Sequence, residues 1–382
     1  MKASTVEFLR QCFSAYYGRE PVNPPPSLPE REWGFIRFDT AGEVRMRRHI
    51  GFCSRQELTE YVRSMVPSHI YYSSAYYQSP GAPTMDAKKW TGADLIFDLD
   101  ADHLMRGSYT VMLTRVKEET EKLLAMLTGE LGFPARNIEV VFSGGRGYHI
   151  HIRDPAVRSF GSSERRELID YVCGIGIDPG AMIGGARSSS PRGWRRRYIA
   201  SMIDYLAWLE GLPVEEALSG LEALPGIGEA AAGRFLGAAP ELGRKLTEGV
   251  PLSPNDRVIW PVIRELTQAQ DSPLVKRLKE QAALADEPVT TDIKRLIRLP
   301  TSLHGGSGFR VTPLSIRDLP GFDPLVDAVV FGTRDIQVDL AFPLSMDILG
   351  NSYKLEKGVS TVPEALAVFL CCRGVAELAG GR

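Results

Sequence analysis

The sequence predicts an α+β fold, a single layered domain interrupted by a helical insertion. Three observations predict it. Short strand-like runs lie between residues 33 and 152 and again between 328 and 342. From about 199 to 285 the chain is rich in Ala, Leu and Glu, with helical spacing and no credible strand. Strands on both sides of a helical block fit one mixed domain that the block interrupts. The expected boundaries are 1–198 for the first part of the domain, 199–285 for the insertion and 286–382 for the second part.

Residues 1–20 predict a helix, closed by Gly18 and the proline-rich stretch 24–29. Strand-like pieces follow at 33–38 and 43–50, with Gly42 as the turn between them. Residues 55–65 carry Leu58, Tyr61, Val62 and Met65 at helical spacing. The stretch 70–77 holds four tyrosines, expected to be core, and ends before Pro80, Gly81 and Pro83. Residues 93–100 form a short apolar strand ending in acids, and 109–131 a helix with Met112, Val116, Leu123, Leu124 and Leu127 on its apolar side. Strands at 138–142 and 148–152 flank a glycine-rich turn. After the insertion, 292–298 reads as a short helix capped by Thr291 and stopped near Pro300. Strands at 328–331 and 338–342 and a helix at 363–373 complete the chain.

The 382 residues are 43% hydrophobic and 24% charged, an ordinary globular mix. A net charge of −2 excludes a uniformly basic nucleic-acid coat, so any such surface is local. Two basic runs qualify, Arg45, Arg47 and Arg48, and Arg192 with Arg195, Arg196 and Arg197; each also fits a solvated face. Five scattered cysteines without a CxxC pair read as reduced thiols of a cytoplasmic protein. Adjacent Cys371 and Cys372 fit a buried helix better than a metal site. Arg10 and Gln11 stand where a signal peptide needs an apolar run, and no stretch is apolar enough to span a bilayer, so no membrane is expected.

Three segments carry chemistry. In the first, the apolar run Leu95, Ile96, Phe97 ends in Asp98-Leu99-Asp100. Residues i and i+2 of a strand share a face, so the two carboxylates lie side by side. Such a pair beside a buried strand is costly unless compensated, and a divalent cation compensates it. A solvated acidic turn is the alternative, and Asp102 is expected to belong to one. The second segment is Ser143-Gly144-Gly145-Arg146-Gly147-Tyr148-His149-Ile150-His151. Glycines let backbone amides approach a ligand closely, and Arg146 offers a planar fork to phosphate oxygens. Alternation gives one polar face, His149 and His151, and one apolar face, as at a triphosphate site; a plain hairpin loop is the alternative. It is not a P-loop, which needs a lysine and Ser/Thr opening a helix. The third runs from Asp286 to Gly308 and brings a carboxylate, cations, His304 and three glycines into two dozen residues. By itself it also fits an amphipathic helix and a loop.

Together these segments resemble the small, catalytic subunit of archaeal and eukaryotic DNA primases. The resemblance rests on Asp98-Leu99-Asp100, on Ser143 to His149, and on Asp286 followed by Arg298, Pro300, Ser302, His304 and Gly308. Arg31-Glu32-Trp33-Gly34-Phe35 and the tyrosines of 71–77 belong to it as well. It spans most of the chain outside the insertion and is strongest with the shorter euryarchaeal proteins. It implies a primase-type catalytic domain with mixed β-sheets flanked by helices. It implies Asp98, Asp100 and Asp286 as catalytic, metal-binding carboxylates for two Mg²⁺ or Mn²⁺ ions. Ser143, Arg146, His149, Arg298 and His304 would bind the nucleotide's phosphates, Arg298 replacing a lysine of some relatives. Synthesis of short RNA primers on single-stranded DNA would follow, with DNA primers left open. Nucleoside triphosphates would be substrates and a large primase subunit the partner, often one with an iron–sulfur cluster.

Two departures stand out. Gly145 occupies a position where the family often has a second arginine. Many relatives carry a zinc-binding Cys/His cluster soon after the DxD strand, whereas residues 104–131 contain neither Cys nor His, so no structural zinc is expected. In the insertion, Leu224-Pro225-Gly226-Ile227-Gly228-Glu229 resembles a helix-hairpin-helix turn, whose backbone amides would face template phosphates; a tight turn without a ligand is the alternative. The competing functions are a primer-dependent repair polymerase of the same superfamily, a metal-dependent phosphatase built on the DxD strand, and a non-catalytic DNA-binding scaffold. The phosphatase reading leaves Ser143 to His149 without a role.

Overall fold

A computed structural model describes residues 1–38, 45–101, 107–179, 182, 191–250, 259–269 and 271–379. The turn expected at Gly42 and the position of Asp102 lie outside these residues. Elements run in the order α1 (Ala3–Arg19), β1 (Trp33–Arg37), β2 (Met46–Ile50), α2 (Arg55–Met65), β3 (Pro67–Ser73), β4 (Ala75–Tyr77), β5 (Trp90–Ala93), β6 (Leu95–Asp100), α3 (Tyr109–Gly129), β7 (Ile138–Phe142), β8 (Gly147–Ile152) and α4 (Ser162–Cys173). Then come α5 (Gly193–Glu210), α6 (Val214–Glu222), α7 (Glu229–Thr247), α8 (Trp260–Gln268) and α9 (Pro273–Glu280). The chain ends with α10 (Glu287–Thr291), β9 (Leu296–Arg298), β10 (Thr312–Leu314), α11 (Pro324–Asp327), β11 (Asp335–Leu340), β12 (Leu344–Ile348), β13 (Asn351–Leu355), β14 (Gly358–Pro363), α12 (Glu364–Cys372) and β15 (Ala376–Leu378). The fold is α+β. It divides into two compact units, one of Met1–Thr128, Gly132–Ile169 and Leu284–Arg382, the other of Gly129–Leu131 and Asp170–Ala283.

The first unit is built on two four-stranded sheets, ordered β2-β1-β3-β9 and β10-β7-β8-β6. Among the described residues their strands all pair antiparallel. Alternation along β6 and β8 explains the second sheet. Leu95, Phe97 and Leu99 lie on one face, with Tyr148, Ile150 and Ile152, and all six are fully buried. Asp98, Asp100, His149 and His151 alternate with them. The expected polar face is therefore present, but His149 and His151 are buried rather than solvated. The sheets meet where Tyr72 of β3 hydrogen-bonds His151 Nδ1 at 3.1 Å and stacks on its ring. Gly147 is required for the β6–β8 approach, since a Cβ there would stand 2.3 Å from the Leu99 carbonyl oxygen.

Buried charges hold the first sheet to β5 and β6. Arg31 and Asp94, both almost fully buried, pair at 2.8 Å. Arg31 also donates to the Ser73 and Ser74 carbonyls, and Tyr76 donates to Asp94. Glu32 is likewise buried and accepts from Arg48 at 2.9 Å. A buried pair is favourable only when its remaining hydrogen bonds are met, as they are here. Tyr72, Tyr76 and Tyr77 are core, as expected.

Two elements differ from expectation. Residues 292–298 are not a helix. The helical turn lies just upstream as α10, with Asp286 rather than Thr291 at its N-cap position and Pro288 in its first turn. Leu296–Arg298 instead pairs with β3, Arg298 opposite Tyr71 and Ile297 opposite Tyr72. The spacing of Ile293, Leu296 and Ile297 suits either structure, and pairing to a distant edge decides it. Residues 328–331 are not a strand either; they follow α11 as irregular chain, and the Ala328 carbonyl accepts from Arg310 N–H. Strand β11 begins at Asp335 and pairs with β14 and β15. Helix α12 is almost wholly buried, Cys371 included.

The described part of the second unit from α5 onward is helical. Its core includes Tyr198, Met202, Leu206, Phe235, Leu242, Ile263 and Leu278. Arg197 pairs with Glu130 and donates to the Gln281 carbonyl, so it has a structural task within this unit. The unit's ends are tied together by Ala283 N–H donating to Val172 O at 2.9 Å. In the turn before α7, Gly226 has φ +71° and Gly228 is the helix N-cap. Among the described residues, no helix is long and apolar enough to cross a membrane.

Candidate active site

β6 ends with Asp98 and Asp100 on its polar side. Asp98 lies opposite His149 of β8, and Asp100 opposite Gly147. His149 Nε2 stands 3.5 Å from Asp98 Oδ1. The third acid arrives from far along the chain. Asp286 N–H donates to the Asp98 carbonyl at 2.8 Å, which fixes the start of α10 against the free edge of β6. The structure thus brings Asp98, Asp100, Asp286 and His149 to one place.

The glycine turn forms the adjoining wall. Ser143 Oγ accepts from Gly145 N–H, and Gly144 adopts φ +77°. A Cβ on Gly144 would meet His304 Cβ at 2.6 Å, so the turn lies directly on the loop carrying His304. Ser307 clasps the two by donating to the Gly144 carbonyl. Gly306 N–H donates to His304 Nδ1 at 3.2 Å. Ser307 Oγ lies against the same Nδ1 at 3.1 Å, and Nε2 stands 3.3 Å from where a Gly145 Cβ would be. Arg146 leads into β8, and its carbonyl accepts from Ala101 N–H. Arg298, on β9, lies over the Tyr71 ring at 5.5 Å. The remaining predicted phosphate ligands, Ser143, His149 and His304, therefore converge on the same region as the acids.

The electrostatics are uneven. Burial, then the neighbouring Asp100 and Asp286, push the Asp98 carboxyl up to about 7. Burial, helped by Arg298 and Arg295, pulls His149 down to about 3. These shifts oppose an ion pair, so the His149–Asp98 contact joins a neutral imidazole to a carboxyl whose charge is disfavoured. His304 is held well below its usual value by burial and by Arg298, His69, Arg373 and His149. His149 Nδ1 and Arg298 Nε are buried without a hydrogen-bond partner in the structure.

The acids suit a hard divalent cation, being oxygen donors crowded enough to raise one of their own pKa values. They are not already drawn into a cage: among the described residues no three His, Cys, Asp or Glu side chains are grouped closely enough to hold a metal ion.

The roles of three neighbours escaped sequence reasoning. His69 packs edge-on against His304 with ring centroids 5.1 Å apart and accepts from Gly305 N–H. Tyr71 supports Arg298. Tyr109 donates to the Gly145 carbonyl at 2.6 Å. His69 and Tyr109 lie in no motif, and Tyr71 belongs to the tyrosine segment of the resemblance without a site role there; the pairing of β3 with β9 and the docking of α3 bring them in.

Comparison with known proteins places the chain in a family. The model of the DNA primase small subunit family matches residues 97–316, a span that begins within β6 and ends beyond β10. The DNA primase small subunit PriS of Methanoregula boonei is 56% identical over 381 residues, covering 99% of this chain and 100% of its own. That of Methanosphaerula palustris is 55% identical over 383 residues, with both chains covered in full. That of Methanothrix thermoacetophila is 43% identical, covering 99% of this chain and 100% of its own. With the acid-bearing strand, the glycine turn and the His304 loop all inside the matched span, and relatives aligned from end to end, the chain belongs to the DNA primase small subunit family.

Proposed function

We propose that the chain is the catalytic subunit of a DNA primase, synthesising short RNA primers on single-stranded DNA from nucleoside triphosphates. The observation that carries this reading is the meeting of Asp98 with Asp100, Asp286 and His149 beside the glycine turn. The reaction joins the 3′-hydroxyl of one nucleotide to the α-phosphate of the next and releases pyrophosphate.

Asp98, Asp100 and Asp286 would hold two Mg²⁺ or Mn²⁺ ions, which supply charge stabilisation to the attacking and leaving oxygens when bound. The carboxylates must turn toward the cations, and the burial and repulsion that together raise Asp98 are what binding offsets. Ser143 and the turn amides, Arg146, His149, Arg298 and His304 orient the triphosphate. Neutral imidazoles act there as hydrogen-bond donors, leaving the positive charge to the arginines. This is electrostatic positioning, on which phosphoryl transfer chiefly depends.

Template contacts fall to exposed cations such as Arg47, since Arg48 is engaged with Glu32. The buried tyrosines are unavailable for stacking on bases. The helical unit and its Gly226–Gly228 turn remain a second template surface in this reading, and residues 199–285 its insertion. A large primase subunit is the expected partner, and scattered cysteines without a CxxC pair fit a reducing cytoplasm.

The test incubates the protein with single-stranded DNA, labelled nucleotides and Mg²⁺ or Mn²⁺, with and without a primer, beside an Asp98→Ala/Asp100→Ala control. Template-dependent product without a primer, absent from the control, supports the proposal. Product only with a primer, even after the large subunit is added, favours a repair polymerase. No product under any condition favours a scaffold.

A further inference from the structure

The position next to Arg146 in the glycine turn is Gly145, which brings no side chain to the phosphates. The structure places another cation, from the far end of the chain, over the tyrosine that holds this residue's carbonyl. Helix α12 packs on the loop that follows His304. Gly308 has φ +74°, and a Cβ there would stand 2.5 Å from Val368. Phe369 stacks on Phe309 at 5.2 Å and meets Tyr109 edge-on at 5.4 Å. Four residues on, and so on the same helix face, Arg373 extends its guanidinium over the Tyr109 ring, 5.9 Å from its centroid. The hydroxyl of that tyrosine holds the Gly145 carbonyl. Arg373 is exposed and pairs with no acid among the described residues.

We propose that Arg373, supported on Tyr109, binds the outer phosphates of the incoming nucleoside triphosphate and supplies from α12 the cation that Gly145 leaves out of the turn. The inference rests on the primase reading above. Asp100 pairs with Gly147, at the inner end of the turn, whereas Tyr109 and Arg373 attend Gly145. A triphosphate whose α-phosphate faces the acids therefore runs outward along the turn toward Arg373. The side chain also bears on His304, whose imidazole it helps keep neutral. A guanidinium suits this task because its planar fork takes two phosphate oxygens at once. The plainer role for Arg373 is to complement the carbonyl end of α12, where it is the C-cap. That role predicts an effect on stability and none on phosphate recognition.

The experiment compares wild type with Arg373→Gln and Arg373→Lys. It measures KM and kcat for nucleoside triphosphates, inhibition by the corresponding monophosphate, and the melting temperature. Loss of one charge-assisted contact predicts a KM for triphosphate raised about tenfold in Arg373→Gln. kcat should stay within about threefold, since the contact is made equally in the ground and transition states. Monophosphate inhibition and melting temperature should be unchanged, and Arg373→Lys should recover part of the loss. An unchanged KM, or triphosphate and monophosphate affinities falling together, overturns the proposal. Failure of wild type itself to make template-directed product would instead reject the primase reading, before Arg373 is tested.

Discussion

Asp98→Asn should stabilise the protein while destroying its activity, and the stabilisation should depend on pH. In the fold, burial and the neighbouring acids raise this carboxyl from 3.8 to about 7. The folded state then binds more protons than the unfolded chain between those values, so stability falls as pH rises through that window. The penalty is absent below the unfolded value near 3.8 and complete above about 7. About three pKa units correspond to roughly 4 kcal/mol as an upper bound. One-fifth of the side chain is open to solvent, and the surroundings relax, so about 2 kcal/mol is the working expectation. Asparagine keeps the shape and removes the charge. In a chelating buffer at pH 7.5 the variant should melt about 2–4 °C above wild type. At pH 4.5 most of that gap should close. Adding Mg²⁺ or Mn²⁺ should raise the wild-type midpoint more than the variant's, since binding a cation relieves what the mutation has already removed. A gap independent of pH, or a variant that melts lower throughout, would refute the claim that Asp98 is held under electrostatic strain.

Three further outcomes are expected. Gly147→Ala forces a Cβ against the Leu99 carbonyl and should cost about 3 kcal/mol or more in urea denaturation, by prising β8 from β6. Arg31→Met leaves Asp94 buried beside Tyr76 without its main counter-ion and should cost about 3–5 kcal/mol on the same measurement. Tyr71→Leu removes the ring beneath Arg298 and should raise the KM for nucleotide about two- to fivefold in steady-state primer synthesis, with kcat little changed.

Much of the site was legible because its residues advertise themselves locally. A hydrophobic run ending in Asp98-Leu99-Asp100 reads as a strand delivering two acids to one face, and the structure forms that strand. Ser143 to Gly147 reads as a turn between strands, and the turn runs from Ser143 to Arg146 between β7 and β8. The location of Asp286 beside Asp98 was suggested only by resemblance, because nothing in a linear pattern says that an amide will seek a strand edge so far upstream. The misreading of 292–298 has the same origin. Its apolar spacing satisfies a helix, and only the unpaired edge of β3 makes it a strand. The strands from β12 to β15 are short and partly exposed, with weak alternation, so their periodicity carried little signal. Arg31-Glu32 was noticed as a motif, but its purpose was not. Two charges beside a tryptophan look like surface until Asp94, Arg48 and Lys88 are seen around them.

The bond from Asp286 N–H to the Asp98 carbonyl also bears on how the protein is made. During synthesis, β6 leaves the ribosome nearly two hundred residues before its third acid. β3 waits as long for β9, and β7 for β10. Both sheets thus spend much of translation with exposed edges, the state most prone to pairing with another chain. Those late segments seal the edges and complete the acid cluster together. A chain terminated before residue 284 would therefore be a sticky fragment rather than a slower enzyme, and nucleotide-joining activity would serve as a report that translation had finished.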